Sequence, residues 1–303
     1  MKTVSIGEVL WDVVGSREYL GGATFNFSVN LMRLGHTVDF ISAVGADERG
    51  RRVLDCMREM GLSHRFVRVL DDHSTGTVTV SLKQDGQPSF VLHRPTAYDF
   101  PRLDDTDFRE LEAQNPDWVY FGTLLMISAD AYRVTMELLD HVPSAHRFYD
   151  INLRAGSYTP SLVSDLISRA TLVKLNDEEV REIDRMLGRQ HGSLKEFCRD
   201  YTERFGWEGV CVTRGASGCA ALIRGEYIES AGYVIDVADA VGAGDAFAAA
   251  FLHGLDSGWP LHRVADFANR VGALVASRPG ALPPWTTEEA LALNVKSARM
   301  ETA

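Results

Sequence analysis

The stretch Asp239-Ala-Val-Gly-Ala-Gly-Asp245, followed by Ala246-Phe-Ala-Ala-Ala-Phe-Leu252, is the most informative part of the chain. Gly242 and Gly244 allow the backbone to turn tightly immediately before an apolar helix. At the N-terminus of such a helix, successive backbone N–H groups point at one place, where the helix dipole favours negative charge. The stretch therefore predicts a cradle for a phosphate group, with Asp245 in the first turn facing the same place.

Asp245 indicates chemistry beyond binding. A carboxylate repels a phosphate, so an aspartate is unfavourable at this place unless it takes part in the reaction. We expect Asp245 to accept a proton from an attacking hydroxyl. A glycine-rich turn whose aspartate merely caps a helix explains the same residues equally well. The stretch is not a Walker A loop, because no lysine of the chain follows a glycine. It is not a Rossmann fingerprint either, because Phe247 stands in the place of the third glycine.

Around this stretch, strand-like and helical runs alternate along the chain. Short runs rich in Val, Ile and aromatic residues predict buried strands at Thr3–Gly7, Val38–Val44, Trp118–Phe121, Arg147–Asp150, Thr171–Leu175 and Val210–Thr213. Helices are predicted at Phe25–Leu34, Glu48–Met60, Asp130–His141, Ser161–Ala170, Asn176–Leu187, Ala243–Gly258, Leu261–Ser277 and Thr287–Asn294. The alternation predicts a three-layer αβα, Rossmann-like fold with a mainly parallel sheet, formed as a single domain over residues 1–303.

Two regions interrupt the alternation. Gly76–Lys83 and Ser89–Arg94 flank Asp85-Gly86, which is typical of a β-hairpin. Trp11–Leu20 is typical of a strand, a turn and a second strand. We expect this region and roughly residues 74–98 to pair as a small antiparallel sheet. Such a sheet would be a lid over a site at the carboxyl ends of the parallel strands.

A second candidate site lies near the N-terminus, in Gly7-Glu-Val-Leu-Trp-Asp12 and Gly21-Gly-Ala-Thr-Phe-Asn26. Asp12 comes shortly after the first predicted strand, and Asn26 lies in the first turns of the helix that follows the two glycines. A carboxylate and an amide in these places could bind two hydroxyls of a polyol, and the glycines would allow close approach. An exposed turn aspartate and an ordinary helix start explain the same residues.

Together the two segments resemble the signatures of the ribokinase-like (PfkB) family of carbohydrate kinases. Its signatures are Gly-Gly-x-x-x-Asn near the N-terminus and Asp-Thr-x-Gly-Ala-Gly-Asp near the C-terminus. They stand here as Gly21–Asn26 and Asp239–Asp245, with Ala240 in place of the usual threonine. The resemblance extends over nearly the whole chain. It implies transfer of the γ-phosphoryl group of ATP to a hydroxyl of a sugar.

The resemblance also implies a role for each matching residue. Asp245 is the catalytic base, and the N–H groups of Gly242, Ala243 and Gly244 form the anion hole. The sugar is bound by Asp12, Gly22, Asn26, Arg94 and Arg154, and the nucleotide by Asn176, Thr213, Gly215, Gly218, Ala268, Asn269 and Ala273. Glu179 organises Mg²⁺ through water, and a monovalent cation such as K⁺ lies near Asp239 and Val241. A capped, acid-rich helical turn is the alternative interpretation of Asn176–Glu179.

The substrate is less sharply indicated. Gly7–Asp12 and His93-Arg-Pro-Thr-Ala-Tyr-Asp99 resemble the fructokinase branch of the family. Asp150-Ile-Asn-Leu-Arg154 resembles a segment common to fructokinases and 2-keto-3-deoxygluconate kinases, and in the latter the matching arginine can bind the substrate carboxylate. Arg154 could instead face a nucleotide phosphate or form a structural ion pair. We therefore expect fructose first, the keto-deoxy acid second and adenosine-type nucleosides third. A non-catalytic, sugar-sensing regulator on the same scaffold is the alternative from another class.

Composition limits the partners. The chain has 303 residues, with 31 Lys and Arg against 42 Asp and Glu, which gives a net charge of −11. An acidic chain without a basic stripe is not expected to bind nucleic acid. The apolar run Ala246–Leu252 is too short to span a membrane, and we expect no signal peptide. The four cysteines form no C-x-x-C pair, as expected for reduced thiols in the cytoplasm. Strand edges of the predicted lid favour a homodimer.

Overall fold

A computed structural model of the chain describes residues 1–82 and 88–294. Its strands are β1 (Lys2–Ile6), β2 (Leu10–Val14), β3 (Arg17–Gly21), β4 (Thr37–Gly45), β5 (Val67–Leu70), β6 (Gly76–Leu82), β7 (Pro88–His93), β8 (Trp118–Gly122), β9 (His146–Asp150), β10 (Leu172–Asn176), β11 (Gly209–Thr213), β12 (Cys219–Ile223) and β13 (Glu226–Ser230). Its α-helices are α1 (Ala23–Arg33), α2 (Glu48–Met60), α3 (Asp105–Gln114), α4 (Thr123–Met126), α5 (Ala129–His141), α6 (Pro160–Arg169), α7 (Asp177–Met186), α8 (Leu194–Phe205), α9 (Ala243–Asp256), α10 (Leu261–Ala276) and α11 (Thr287–Ala292).

The predicted fold class is confirmed. The elements form a mixed α/β fold with a large, mostly parallel sheet, helices and a small second sheet. The chain divides into two compact units. The N-terminal unit comprises Met1–Val119 and Leu125–Ala145, and the C-terminal unit comprises Tyr120–Leu124 and His146–Ala303. The prediction of a single domain stays a prediction.

In the N-terminal unit, β1, β4 and β5 are parallel neighbours. Helix α1 follows Gly22 and buries its residues from Thr24 to Leu31. Helix α2 begins after Asp47, whose carboxylate accepts a hydrogen bond from Gly50 N at 2.8 Å. This N-cap supplies a partner for one of the backbone N–H groups that the first turn of a helix leaves unpaired.

The small sheet has the strand order β3-β2-β6-β7 and belongs to the N-terminal unit. The pairs β2–β3 and β6–β7 are antiparallel, as predicted, although the turn at Asp85-Gly86 lies outside the described residues. The prediction of a wholly antiparallel sheet is wrong, because β2 and β6 pair in parallel, from Leu10 opposite Gly76 to Val14 opposite Val80. The reason is topological: β2 follows β1 and β6 follows β5 by short connections. Strands β1 and β5 have the same direction, so β2 and β6 enter the small sheet side by side in the same direction.

In the C-terminal unit, β9, β10 and β11 are parallel, and β12 and β13 continue the sheet in antiparallel order. The β12–β13 hairpin was not predicted. Arg224 and Gly225 connect its strands with φ values of 49° and 88°, the left-handed backbone that tight two-residue hairpin turns require. Helices α9 and α10 pack against each other after this hairpin.

Two further findings concern expectations from composition. In the part of the chain that the structure describes, no helix is both long and apolar enough to cross a membrane. All four cysteines are free thiols; Cys56 is half-buried, and Cys198, Cys211 and Cys219 are buried.

Candidate active site

The start of α9, in the C-terminal unit, has the backbone geometry of an anion site. Gly242 is the N-cap residue with φ 80°, and a Cβ atom on it would lie 2.1 Å from Ala281 O. Only glycine fits there, since it alone tolerates both the left-handed backbone and the close contact. The first internal hydrogen bond of the helix joins Ala246 N to Gly242 O at 2.9 Å. Ala243 N donates to Ala240 O at 3.3 Å, so this expected anion-hole donor is engaged within its own loop.

A cavity of about 490 Å³ borders this helix start. Six of the expected nucleotide residues line it: Asn176, Thr213, Gly215, Gly218, Asn269 and Ala273. Ala243 and Gly244, the first two residues of α9, also line it. Ala268 is completely buried and lies outside this lining. The sequence did not indicate the apolar wall at Tyr233, Val234, Ile235, Val237, Ala240 and Phe247.

Asn269 has a structural task in this cavity. Its Nδ2 atom donates to Ala231 O at 3.1 Å and to Ser230 Oγ at 3.2 Å. These bonds hold the segment after β13 against α10, and the apolar wall follows directly in the sequence. The amide group therefore shapes the cavity through the backbone of a neighbouring segment.

In the C-terminal unit, the neighbouring strands β8, β9 and β10 bring three polar side chains together. Lys174 on β10 places Nζ 2.9 Å from both carboxylate oxygens of Asp150 on β9. The hydroxyl of Tyr120 on β8 donates to Asp150 Oδ2 at 2.9 Å. Burial alone would lower the pKa of Lys174, but the negative charges of Asp150 and Glu179 outweigh it, so the pKa is raised and the ammonium group stays charged.

Lys174 was not predicted as a site residue, and Asp150 entered only as part of a motif. The signal was a lysine inside the apolar run Leu172–Leu175. Charged residues are almost never fully buried unless they are paired, so such a lysine indicates a buried carboxylate nearby. The sequence therefore indicates that Lys174 has a buried carboxylate partner, but it does not identify that partner as Asp150.

Asn176 and Glu179 form a capping box at the start of α7. Asn176 Oδ1 accepts from Glu179 N at 2.9 Å, and Glu179 Oε2 accepts from Asn176 N at 2.8 Å. Glu179 Oε1 also accepts from Leu153 N at 2.7 Å. Burial raises the pKa of Glu179 against the opposing influence of Lys174. The structural interpretation of this motif is thus realised, and a role in organising Mg²⁺ would be additional to it.

The donor set limits how a metal could be held. Within residues 1–82 and 88–294, no group of three or more His, Cys, Asp or Glu side chains is placed to hold a metal ion. A carboxylate such as Glu179 suits Mg²⁺, which keeps several water ligands and is usually bound with substrate phosphates. The residues present therefore fit an ion that is bound together with a phosphorylated ligand.

Asp239 and Arg154 occupy different surroundings. Asp239 Oδ1 accepts from Val241 N at 3.0 Å, and Oδ2 accepts from Gly280 N at 3.2 Å. The carboxylate thus ties the loop before α9 to a distant segment, whereas its expected role beside a monovalent cation stays a prediction. Arg154 is exposed, and its Nη1 atom donates to Leu153 O at 3.2 Å.

In the N-terminal unit, two of the expected sugar residues, Gly22 and Asn26, lie at the start of α1. Gly22 is its N-cap with φ 116°, and a Cβ atom there would lie 2.5 Å from Glu8 O. Asn26 is buried in the first turns of α1, and Asp12 lies half-buried on β2. The buried Glu8, which the sequence analysis did not single out, accepts hydrogen bonds from Ala23 N at 2.7 Å and from the next backbone N–H. Its carboxylate thus accepts hydrogen bonds from the first backbone N–H groups of α1, as the side chain of an N-cap residue would.

Arg94, another expected sugar ligand, is paired within the N-terminal unit. Its guanidinium group donates to both carboxylate oxygens of the buried Asp99 and lies 5.6 Å from the ring centre of Tyr98. The charge of Arg94 is thus balanced by Asp99, and its side chain is held in one orientation.

Comparison with known proteins agrees with this geometry. The family described as pfkB family carbohydrate kinase matches residues 5–288. The chain is 29% identical to a fructokinase of Escherichia coli, over 86% of this chain and 87% of that protein. It is 28% identical to an aminoimidazole riboside kinase of Salmonella typhimurium, over 91% and 89% of the two chains. The solved structure of an uncharacterized sugar kinase from Pyrococcus horikoshii in complex with ATP has a TM-score of 0.80 and 26% identity, and the match covers 92% of this chain and 94% of that one. The chain therefore belongs to the pfkB family of carbohydrate kinases and is a sugar phosphotransferase.

Proposed function

We propose that this protein is an ATP-dependent kinase whose preferred acceptor is fructose. The observation that carries the proposal is the place of Asp245 in the first turn of α9, next to Ala243 and Gly244, which line the cavity. In the reaction, a hydroxyl oxygen of the sugar attacks the γ-phosphorus of ATP, the bond from phosphorus to the bridging oxygen of ADP breaks, and the hydroxyl proton goes to Asp245. The products are ADP and a sugar phosphate.

The transition state of phosphoryl transfer spreads negative charge over the phosphoryl oxygens, so catalysis depends on positioning and electrostatics. Backbone N–H groups at the start of α9, including that of Gly244, are suited to stabilise this charge. Mg²⁺, when bound with the phosphates, would neutralise part of the charge, and Glu179 is the residue we assign to organising its water. Asp239 and Val241 are assigned to a site for a monovalent cation.

Removal of Mg²⁺ should abolish turnover. Replacement of K⁺ by tetramethylammonium tests whether the reaction needs the monovalent cation.

Fructose stands first because the chain carries the Gly7–Asp12 and His93–Asp99 segments of the fructokinase branch, and because a fructokinase is among its relatives. Asp12, Gly22 and Asn26 are the residues we assign to sugar hydroxyls. A 2-keto-3-deoxy acid stands second, since the exposed guanidinium group of Arg154 could bind its carboxylate. A riboside is the third acceptor, because an aminoimidazole riboside kinase is also similar. The reaction is assigned to the cytoplasm, which agrees with four free thiols.

The first experiment measures ADP release with Mg·ATP across fructose, 2-keto-3-deoxygluconate, ribose, tagatose, glucose, adenosine, aminoimidazole riboside and a blank without sugar. A signal that is strongest for fructose supports the proposal. Preference for the keto-deoxy acid keeps the mechanism and makes Arg154 the next residue to substitute. Binding of ATP or sugar without turnover on any acceptor would favour the sugar-sensing regulator.

Asp245→Asn tests the assigned base. The substitution keeps the size of the side chain but removes its ability to take the proton, so we expect kcat to fall roughly 10²- to 10⁴-fold. Asp256→Asn, at the exposed last turn of the same helix, is the matched control and should leave kcat unchanged. Near-normal turnover by a folded Asp245→Asn protein would exclude Asp245 as the base.

A further inference from the structure

A row of polar side chains crosses three neighbouring strands of the C-terminal unit and ends beside α9. Tyr120 on β8 binds Asp150 on β9, and Asp150 binds Lys174 on β10. Asp150 and Lys174 are register partners on adjacent parallel strands. Beyond Lys174 lies the first turn of α9, since a Cβ atom on Gly244 would be 3.7 Å from Lys174 Nζ. The ammonium group therefore lies against the first turn of α9, which is the segment assigned to bind the phosphate.

Packing does not require this arrangement. The side chains of Lys174 and Asp150 are only 8% and 2% exposed. Taking two charges out of water is unfavourable, and well-packed apolar residues of similar volume often give equal or greater stability. The buried pair therefore does not contribute to the stability of the sheet more than apolar residues would, which suggests that its positive end has another role.

The position of the cation is also unfavourable when considered alone. The N-terminus of a helix carries a partial positive charge of roughly half an elementary charge, so a lysine ammonium group beside it is repelled. The arrangement becomes favourable when negative charge lies in the same place. Asp150 and Glu179 are the largest such charges, and Asp245 is a further one that interacts electrostatically with Lys174. The phosphoryl group of the proposed reaction would be another.

We infer that Lys174 is a positioning residue: Asp150 holds its ammonium group behind the first turn of α9, where the fixed positive charge favours ionised Asp245 and the charge on the transferring phosphoryl group. The inference rests on the proposed function and adds to it a residue without direct contact to the substrate. Asp150 keeps the lysine side chain in one place, and Tyr120 keeps Asp150 in place. The charge is therefore present before the ligand binds and needs no reorganisation during the reaction.

The test compares Lys174→Met, Lys174→Arg and the double variant Lys174→Met/Asp150→Asn. Lys174→Met alone leaves the Asp150 carboxylate buried without its cation and can unfold the protein for that reason. The double variant removes both charges together, so its melting temperature should stay within a few degrees of the wild type. Lys174→Arg keeps the positive charge and is the second variant, available even if the double variant fails to fold.

For the double variant we expect kcat to fall roughly 10- to 100-fold, because the buried pair loses its positive end, which is the end that lies against the first turn of α9. The KM for ATP should change less than about threefold, since uniform binding of the nucleotide is retained. Lys174→Arg should keep kcat within about fivefold of the wild type, because the charge remains. A role that is merely structural would lower the melting temperature and leave kcat of the folded protein unchanged.

Calorimetric titration gives a readout that does not depend on turnover. ADP alone should bind to the wild type and the double variant with similar Kd. ADP with aluminium fluoride and sugar, which imitates the transferring phosphoryl group, should bind the double variant at least tenfold more weakly, in line with its kcat. A folded double variant with wild-type kcat overturns the inference on Lys174, as does an equal loss of kcat in Lys174→Arg and Lys174→Met. A wild type that phosphorylates no acceptor overturns the proposed function and this inference with it.

Discussion

At the residue scale, Gly242 meets two requirements at the same position. Its φ of 80° belongs to the left-handed region, and its missing side chain leaves room for Ala281 O. Gly244, two residues later, meets neither requirement, because a Cβ atom there would make only an ordinary contact of 3.7 Å with Lys174 Nζ. The two glycines of one motif therefore have different physical reasons to be glycine.

This difference leads to a prediction. Gly242→Ala should lower the free energy of unfolding by about 2–4 kcal/mol, from backbone strain and the contact with Ala281 O. Gly244→Ala, the matched control, should change it by less than about 1 kcal/mol. Urea titrations of both variants measure the effect. Equal stability of the two variants would mean that the Gly242 backbone relaxes without cost.

At the element scale, Asp47 connects the start of α2 with the start of the small sheet. Its carboxylate accepts from Gly50 N at 2.8 Å, from Thr75 N at 2.8 Å and from Thr75 Oγ1 at 2.7 Å. Thr75 immediately precedes β6. Burial raises the pKa of Asp47, but the hydrogen bonds from Thr75 and Gly50 outweigh burial, so the pKa is lowered from its ordinary value of 3.8.

The sign of this shift fixes a pH dependence. Because the folded pKa lies below the unfolded one, the carboxylate stabilises the fold above about pH 4. Its contribution is lost as pH falls through the lowered folded pKa. Asp47→Ala should cost about 1–3 kcal/mol at pH 7, and the difference from the wild type should shrink below pH 4.

The measurement is chemical denaturation of both proteins between pH 3 and pH 7. Asp55→Ala is the control, since the Asp55 side chain lies on the same helix, is 46% exposed and pairs with Arg58 one turn later. A difference between Asp47→Ala and the wild type that does not depend on pH would mean that the ionised carboxylate contributes nothing.

At the scale of the whole molecule, the cavity of the C-terminal unit is formed by segments that are far apart in the sequence. Asn176, Thr213, Val237 and Ala273 all line it. Ala273→Trp should fill part of the cavity and raise the Kd for ATP at least about tenfold, because the nucleotide loses apolar contact area. His262→Trp, on the exposed surface of the same helix, should leave the Kd unchanged. Calorimetric titration with ATP measures both, and unchanged affinity in Ala273→Trp would exclude the cavity as the nucleotide site.

The small sheet supplies a second prediction at this scale. Its edge strands β3 and β7 carry the exposed side chains Tyr19 and Val91, at 38% and 50% exposure. Open strand edges with apolar side chains favour pairing with a second copy. We expect a dimer in solution that Tyr19→Glu/Val91→Glu converts to a monomer, whereas Val69→Glu, on the equally exposed β5, stays dimeric. Light scattering across working concentrations tests this, and a monomeric wild type contradicts it.

What the sequence by itself determined was local. The alternation of apolar runs with capped helices predicted the α/β class, because each strand or helix needs an apolar pattern of its own period. Gly242 identified the start of α9, because a tight turn with a left-handed backbone before an apolar helix needs glycine. The hairpins of the small sheet followed from the same kind of local pattern.

Only the tertiary structure decided which distant residues meet. The parallel pairing of β2 with β6 depends on the common direction of strands that precede them, which no local pattern records. The pairing of Lys174 with Asp150 depends on the register of two parallel strands whose paired residues are 24 positions apart. Glu8 at the start of α1 and the apolar wall of the cavity are further cases. A buried charged residue needs a partner of opposite charge close to it in the folded structure. The sequence shows the charged residue, but it does not show which residue is the partner.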